Sequence, residues 1–225
     1  MGSDYYSIVR LDAIALMDDN GSQRVLELGC GAGCTLEELR VRGLASFLAG
    51  VELEPACHAA ARGVCDLFVP GNVEEIPLQD LGRYDTVLLL DVIEHLANPF
   101  AVIQSAASVL NPGGYLVLSF PNVRNFGVIK PLVMDGLWDY QDSGIFDRGH
   151  LRFFTRKSFL SAMAQACPAL ELEVLQGKPN RSTWLLQVLS CLPWVGEFFT
   201  CQFMVKYRLS GETPSLVSSA SSLSS

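Results

Sequence analysis

VLELGCGAG, residues 25–33, marks the point where a buried strand is expected to turn into a helix. The apolar run stops at an acid, Glu27, and three glycines follow at alternate positions, Gly29, Gly31 and Gly33. Glycine adopts positive φ angles easily and lets another group approach the backbone closely. The stretch therefore predicts a loop that lies against a ligand.

Short apolar strands alternate with amphipathic helices on both sides of this loop. Such alternation is typical of a mostly parallel sheet that is covered by helices on both faces. We predict an α/β fold: a single doubly wound, mostly parallel seven-stranded sheet with helices on both faces and an antiparallel last strand. Ligands of such sheets bind beyond the carboxyl ends of the strands, where the glycine loop is placed.

The chain divides into three predicted parts. Residues 1–22 form an N-terminal helical segment, residues 23–209 form the domain, and the Ser-rich residues 210–225 form a disordered tail. Within the domain, the stretch 122–150 is expected to be irregular, and the helix TRKSFLSAMAQAC is expected to be capped by Thr155.

A second apolar stretch, residues 184–199, is predicted to be a helical insertion. It is too short, and too broken by Pro193 and Gly196, to span a bilayer. We favour burial of this stretch over the alternative, peripheral contact with a membrane surface.

The net charge and the cysteine content argue against some classes of function. The net charge of −8 repels phosphate backbones and argues against nucleic-acid binding. The seven cysteines are odd in number and none are paired at CxxC spacing, and Cys30 and Cys34 have no histidine nearby to complete a zinc site. We therefore expect no metal site, and reduced thiols in a cytoplasmic protein.

Two interpretations of the glycine loop compete. A dinucleotide-binding turn has the spacing G-x-G-x-x-G, but Cys34 stands where its third glycine should be. A nucleoside cofactor without phosphates needs close backbone approach and no phosphate cradle. Glu27 would repel a pyrophosphate but attract an ammonium or sulfonium group, so it favours the second interpretation.

Several ordered motifs resemble those of Rossmann-like S-adenosylmethionine-dependent methyltransferases, over about residues 20–208. ELGCGAG is similar to the first motif of that family, GVELEP to the second and GNVEEIPL to the third; YDTVLLLDVIEHL is similar to its fourth strand, and LNPGGYLVLSFPN to the stretch before and along the fifth. The resemblance implies S-adenosyl-L-methionine as cofactor and methyl transfer as the reaction.

The resemblance also implies roles for individual residues around this cofactor. The glycines of the loop would lie against its methionine and ribose, with Glu27 near the ammonium. Glu52 would accept hydrogen bonds from both ribose hydroxyls, an arrangement that suits any adenosine ribose. Asn72 would face the adenine amine, the Val73 backbone the ring edge, and Asp91 the methionine end.

The later motifs SFPNVRN and GIFDRGHLRFFT resemble small-molecule methyltransferases of the ubiquinone-biosynthesis type, and especially those associated with polysaccharide synthesis. That resemblance places residues 122–154 on the substrate side and implies a hydroxyl acceptor on a small molecule or sugar. His95 and His150 are the candidate catalytic bases, since histidine titrates near neutral pH. Both histidines could instead be structural, and His58 is expected to lie on the surface.

Two features of the substrate side have structural alternatives. Asp147 and Arg152 could form an ion pair that orders the segment. Five aromatic residues could wall an acceptor pocket or simply pack together: Trp138, Tyr140, Phe146, Phe153 and Phe154.

Rival functions are less well supported by the sequence. An NAD-dependent oxidoreductase would need the missing third glycine and a pair such as Tyr-x-x-x-Lys, which the chain lacks. A cofactor-binding adaptor or sensor without catalysis would keep the same motifs. No Asn-Pro-Pro-Tyr-type motif of nucleic-acid or protein methyltransferases follows the fourth strand. Either a monomer or a homodimer is compatible with the sequence.

Overall fold

The structure is a computed structural model that describes residues 5–18, 21–179 and 195–210. Most of the 184–199 insertion and residues 211–225 of the predicted tail lie outside the described residues. In the N-terminal segment the chain forms a 3-10 turn at Tyr5–Ser7 and a single helical turn, α1, at Leu11–Ile14. The described end of the insertion is a 3-10 helix at Gly196–Phe199.

The central element is a seven-stranded sheet in the order β3-β2-β1-β4-β5-β7-β6. Only β7 runs antiparallel to its neighbours, β5 and β6. The predicted fold class is confirmed, including the antiparallel last strand. The strands are β1 Gln23–Leu28, β2 Ala45–Glu52, β3 Leu67–Pro70, β4 Tyr84–Leu90, β5 Leu110–Pro121, β6 Leu170–Pro179 and β7 Thr200–Leu209.

Among the described residues, five further helices connect the strands. They are α2 Cys34–Val41, α3 His58–Val64, α4 Pro99–Ser108, α5 Phe126–Asp135 and α6 Arg156–Ala166. The predicted cap of α6 is confirmed, because the Thr155 side chain accepts from the Ser158 backbone N–H and Ser158 reciprocates in a capping box. Short 3-10 helices at Pro55–Cys57, Leu78–Leu81 and Ile93–His95 complete the connections.

In the part of the chain that the structure describes, two apolar clusters form the core, one on each face of the sheet. Successive residues of the central strands join opposite clusters: Leu26 belongs to one and Val25 to the other, and Val87 and Leu88 divide in the same way. Side chains alternate across a strand with a period of two, so a strand that is apolar throughout must be covered on both faces.

The stretch 122–150 is not wholly irregular, as the sequence analysis expected, because it contains α5. Asn125 caps this helix by accepting a hydrogen bond from Gly127 N at 2.9 Å, and Gly136 ends it with a φ of 67°. Pro131 lies inside the helix, where proline removes a backbone donor. The interruption obscures the helical pattern in the sequence.

Candidate active site

The glycine loop joins β1 to α2 at the carboxyl edge of the sheet, between β2 and β4. Its glycines have φ angles of 77°, 54° and 84° at positions 29, 31 and 33, a region that other residues rarely adopt. A Cβ on Gly29 would lie 2.5 Å from the Val92 side chain, and one on Gly31 would lie 2.7 Å from the Tyr6 carbonyl oxygen. The first two glycines therefore also let the β4 exit and the N-terminal segment pack against the loop.

Glu52, at the end of β2, is oriented by the loop beside it. One carboxylate oxygen accepts from Gly31 N and the other from Glu54 N, both at 2.7 Å, and the residue is only 6% exposed. His58 supports the same strand end, because its Nε2 lies 3.1 Å from the Glu52 carbonyl oxygen. The sequence analysis expected His58 at the surface; in the structure it is half-buried, and its ring packs edge-on against Phe68.

Glu27, near the end of β1, is 3% exposed. Its Oε2 has no hydrogen-bond partner among the described residues. Burial raises the pKa of this carboxyl to about 8, Cys65 and Glu52 add to the rise, and the Arg10 cation acts in the opposite direction. A buried and unpaired carboxyl oxygen is costly, and a cationic ligand group would relieve that cost.

Asp91 follows β4 with a φ of 56°, the one positive φ outside glycine among the described residues. Its carboxylate accepts from the Arg10 guanidinium at 2.6 Å, from Ser119 Oγ at 2.7 Å and from the Gln202 side-chain amide. Backbone strain of this kind persists where surrounding bonds enforce it. Because β4 is the parallel neighbour of β1, Asp91 lies at the same sheet edge as the glycine loop.

Arg10 is a residue of this region that the sequence analysis missed. Its backbone N–H donates to Thr35 Oγ1 at 3.2 Å, which joins the N-terminal segment to α2, while its guanidinium, 11% exposed, pairs with both Asp12 and Asp91. Asp12 also binds Lys178 at the far end of β6. Nothing near Arg10 in the sequence marks it, because its partner Asp91 is 81 positions away.

Asn72 and Val73 follow β3 at the same sheet edge. The Asn72 side chain accepts from Glu74 N at 3.0 Å and donates to Glu75 at 3.2 Å, so it stabilises the turn after Gly71. Val73 packs on the larger core cluster. The amide oxygen of Asn72 retains a second lone pair for an adenine amine.

His95 and His150 are brought together, although 54 residues separate them in the chain. Their ring centroids are 4.7 Å apart at an interplanar angle of 76°. His95 Nδ1 lies 3.0 Å from the Gly149 carbonyl oxygen and His150 Nδ1 lies 2.9 Å from that of Ile145. A carbonyl can only accept, so each Nδ1 carries the proton and each Nε2 of the neutral ring is an acceptor.

Glu94 lies beside the two histidines, only 2% exposed, with its Oε2 unpartnered among the described residues. Burial and the nearby Asp91 raise its pKa well above the ordinary value. Ligand atoms of Glu94, His95 and His150 all lie within 4.8 Å of one another, so the cluster could hold a divalent cation. The sequence analysis expected no metal site because the cysteines show no metal-binding spacing and have no histidine nearby, and it did not consider Glu94, His95 and His150 together.

The segment that carries His150 is tied to the β4 exit by its backbone. Leu151 N and Arg152 N both donate to the Glu94 carbonyl oxygen, at 2.7 and 2.9 Å. The Asp147–Arg152 ion pair offered as an alternative does not form: Arg152 donates to the Ala97 carbonyl oxygen, and Asp147 accepts from Gly149 N at 2.7 Å.

The aromatic residues of the predicted substrate side separate into two groups. Phe154 belongs to the core, where it packs against Phe120. Trp138 contacts Phe146 and Phe153 at centroid distances of 4.5 and 5.4 Å, and the Phe153 ring lies 6.4 Å from that of His150. This second group is partly exposed, which suits an apolar or aromatic acceptor.

The motif PNVRN, residues 121–125, connects the end of β5 to the described end of the 184–199 insertion. Asn122 donates to the carbonyl oxygens of Glu197 and Thr200 at 2.8 and 2.9 Å. The Glu197 carboxylate pairs with Arg124 at 2.7 Å and also with Arg156. These bonds fix the described end of the 184–199 insertion against β5 and α6.

No helix of the described residues is both long and apolar enough to cross a membrane.

Each predicted cofactor residue lies near the carboxyl edge of the sheet, and the two candidate bases lie together beyond β4.

Comparison with known proteins agrees with this geometry. The family model described as "Methyltransferase domain" matches residues 8–166. The ubiquinone biosynthesis O-methyltransferase of Xanthomonas euvesicatoria is 32% identical over 120 residues, which cover 51% of this chain and 49% of that protein. The chain thus spans about half the length of the curated relatives it matches.

Solved structures share the fold at low sequence identity. A SAM-dependent methyltransferase of Archaeoglobus fulgidus matches with a TM-score of 0.62 at 14% identity, over 92% of this chain and 94% of that one. The N-methyltransferase NodS of Bradyrhizobium japonicum, solved with S-adenosyl-L-homocysteine, matches with a TM-score of 0.58 at 14% identity, over 88% and 84%. The chain belongs to the methyltransferase-domain family.

Proposed function

We propose that this enzyme transfers the methyl group of S-adenosylmethionine to a hydroxyl of a small molecule or sugar, with His95 or His150 accepting the proton. The observation that carries the proposal is the pair of rings whose Nε2 atoms are both acceptors, beside a partly exposed aromatic group. Curated relatives are named ubiquinone biosynthesis O-methyltransferases, which supports an oxygen acceptor.

The residues present fit the cofactor. Glu27 Oε2, which has no hydrogen-bond partner in the described part of the chain, offers a buried acceptor for an ammonium group, and the left-handed loop at Gly29 and Gly31 presents backbone without side chains. When bound, S-adenosylmethionine supplies a methyl group on a positively charged sulfur, which is a good leaving group. We assign Glu52 to the ribose, Asn72 and Val73 to the adenine, and Asp91 to the methionine end.

Arg10 joins this set as a proposed partner of the cofactor's carboxylate. Its guanidinium is nearly buried at the methionine end and is held there by Asp12 and Asp91. Burial of a cation between two carboxylates gives a fixed donor group, and guanidinium donors match a carboxylate well.

In the proposed reaction, one of the two histidines accepts the proton of the acceptor hydroxyl. Burial, followed by the neighbouring His150, lowers the pKa of His95, which favours the neutral ring. A neutral Nε2 can take the hydroxyl proton as the oxygen attacks. The remaining task is to hold the acceptor oxygen in line with the methyl group, about 3 Å away, and to exclude water.

An acceptor screen tests this proposal. The purified chain is incubated with labelled cofactor and with catechols, simple phenols, sugars and primary amines. Methylation of phenols or sugars, reduced at least a hundredfold in His95→Asn or His150→Asn while S-adenosylhomocysteine binding is kept, is the expected result. Methylation of amines alone would contradict the hydroxyl assignment.

The same assay separates proton transfer from a metal role of the Glu94–His95–His150 cluster. Turnover that survives dialysis against EDTA supports the histidine as proton acceptor. Turnover that is lost with EDTA and restored by Mg²⁺ or Mn²⁺ would assign the cluster to a cation instead.

We further propose a cytoplasmic location and no nucleic-acid partner. The described cysteines form no disulfide, as expected in a reducing compartment, and the net charge is −8. A monomer or homodimer is expected, and light scattering of the purified chain would distinguish the two.

A further inference from the structure

Two cysteine side chains meet over Gly50 of β2. A Cβ placed on Gly50 would lie 2.8 Å from Cys30 Sγ and 2.9 Å from Cys65 Sγ. Both sulfur atoms therefore occupy the space that a side chain at this position would fill. The strand has a glycine here although its φ is ordinary, so the need for it is steric.

The two cysteines differ in position and access. Cys30 lies in the glycine loop, between Gly29 and Gly31, and is only 6% exposed. Cys65 directly follows α3 and is half-buried. It borders a surface cavity of about 260 Å³ lined by Glu37, Arg40, Gly63, Val64, Cys65 and Asp66.

The two thiols also interact electrostatically in a way that favours one of them as a nucleophile. A hydrogen bond with Cys65 and burial both raise the pKa of Cys30. The same hydrogen bond lowers the pKa of Cys65, and the Arg40 cation at the cavity acts in the same direction, while burial and Asp66 oppose it. A thiol that is accessible and has a lowered pKa is the one that reacts first with an oxidant, because its thiolate is the nucleophile.

We infer that Cys30 and Cys65 are a reversible redox modification site, at which a hydroperoxide forms a disulfide that ties the glycine loop to the end of α3 and weakens cofactor binding. This effect rests on the cofactor lying along the glycine loop, and it is independent of the acceptor.

The chemistry balances with hydrogen peroxide as the oxidant. The Cys65 thiolate attacks one peroxide oxygen and the O–O bond breaks, which leaves a sulfenic acid on Cys65 and releases hydroxide that is protonated to water. The Cys30 sulfur then attacks the Cys65 sulfur and expels the sulfenic oxygen, which leaves as water with the Cys30 proton. The two thiols together lose two electrons and two protons.

Closing this bond must move the loop. The sulfur atoms of a disulfide are about 2.05 Å apart, well inside thiol–thiol contact. Cys30 lies one residue before Gly31, whose N–H donates to Glu52 Oε2, and Cys30 N itself donates to the Val51 carbonyl oxygen at 3.1 Å. A pull on Cys30 toward α3 therefore disturbs the orientation of both the loop and the ribose-side carboxylate.

The test begins with the fully reduced chain, which is treated with hydrogen peroxide, alkylated and mapped by mass spectrometry. The expected result is a linked pair of peptides that contain Cys30 and Cys65. Calorimetry should show S-adenosylhomocysteine binding weakened at least about tenfold, and dithiothreitol should restore it.

Variants make the outcome specific. Cys65→Ser should bind S-adenosylhomocysteine like the reduced wild type before and after peroxide. Cys201→Ser, which removes another half-buried cysteine, should respond to peroxide like the wild type. Absence of the Cys30–Cys65 link, unchanged affinity in the linked protein, or loss of affinity that persists in Cys65→Ser would each overturn the inference. None of these readouts needs methyl transfer, so failure of the acceptor proposal would be distinguishable.

Discussion

Glu27 leads to a quantitative prediction: cofactor binding should release a proton. The pKa of this buried carboxyl is about 8, so at pH 7 about 90% of the free protein carries the proton. An ammonium group placed against Oε2 stabilises the charged carboxylate. Binding at pH 7 should therefore release up to about 0.9 proton per bound ligand.

The same linkage sets a pH dependence of affinity. Only the ionised carboxylate attracts the ligand ammonium, and its fraction in the free protein rises from about 1% at pH 6 to about 24% at pH 7.5. Affinity for S-adenosylhomocysteine should therefore increase about 25-fold over that interval. The range ends below about pH 7.7, where an α-amino group begins to lose its own proton.

Calorimetry measures both quantities. Titrations at pH 7 in phosphate and in Tris, whose ionisation heats differ, should give different binding heats, and the slope against ionisation heat counts the protons. Glu27→Gln, which keeps the shape of the side chain but cannot ionise, should give a slope near zero and a flat pH profile. Equal heats in both buffers for the wild type, or an unchanged slope in Glu27→Gln, would refute the reasoning.

Three further predictions concern stability and the loop. The pKa of Glu27 is raised from 4.5 to about 8, so between these pH values the unfolded state binds fewer protons than the folded state. The free energy of unfolding therefore falls as the pH rises through this range, by no more than about 5 kcal/mol. In thermal scans from pH 5 to pH 8, the melting temperature of Glu27→Gln should rise progressively above that of the wild type. Gly31→Ala forces a Cβ to within 2.7 Å of the Tyr6 carbonyl at a φ of 54°, and calorimetry should show at least about tenfold weaker S-adenosylhomocysteine binding; wild-type affinity would show that the loop tolerates a side chain there. Thr155→Ala removes the bond from Ser158 N at 3.2 Å and should lower the free energy of unfolding by about 1 kcal/mol in urea titrations, whereas no change would mean that the capping box is not formed in solution.

Local patterns in the sequence were sufficient to predict the fold class and part of the candidate site. Strand and helix alternation predicted the doubly wound sheet because apolar residues that run along a whole strand must be covered on both faces. Glu27 and the glycines lie within one short turn, and Glu52 ends the next strand. The carboxyl ends of neighbouring parallel strands meet at one edge, so these positions follow from chain order alone.

Tertiary structure decided which distant residues meet. Arg10 reaches Asp91 across 81 positions, His95 faces His150, and Cys30 and Cys65 share the space above Gly50. No local pattern encodes such pairs, because they depend on strand order and on how loops pack over the sheet edge. The sequence by itself determined the sheet and the edge at which the cofactor is proposed to bind. Packing between segments far apart in the chain determined that His95 meets His150 and that Cys30 meets Cys65.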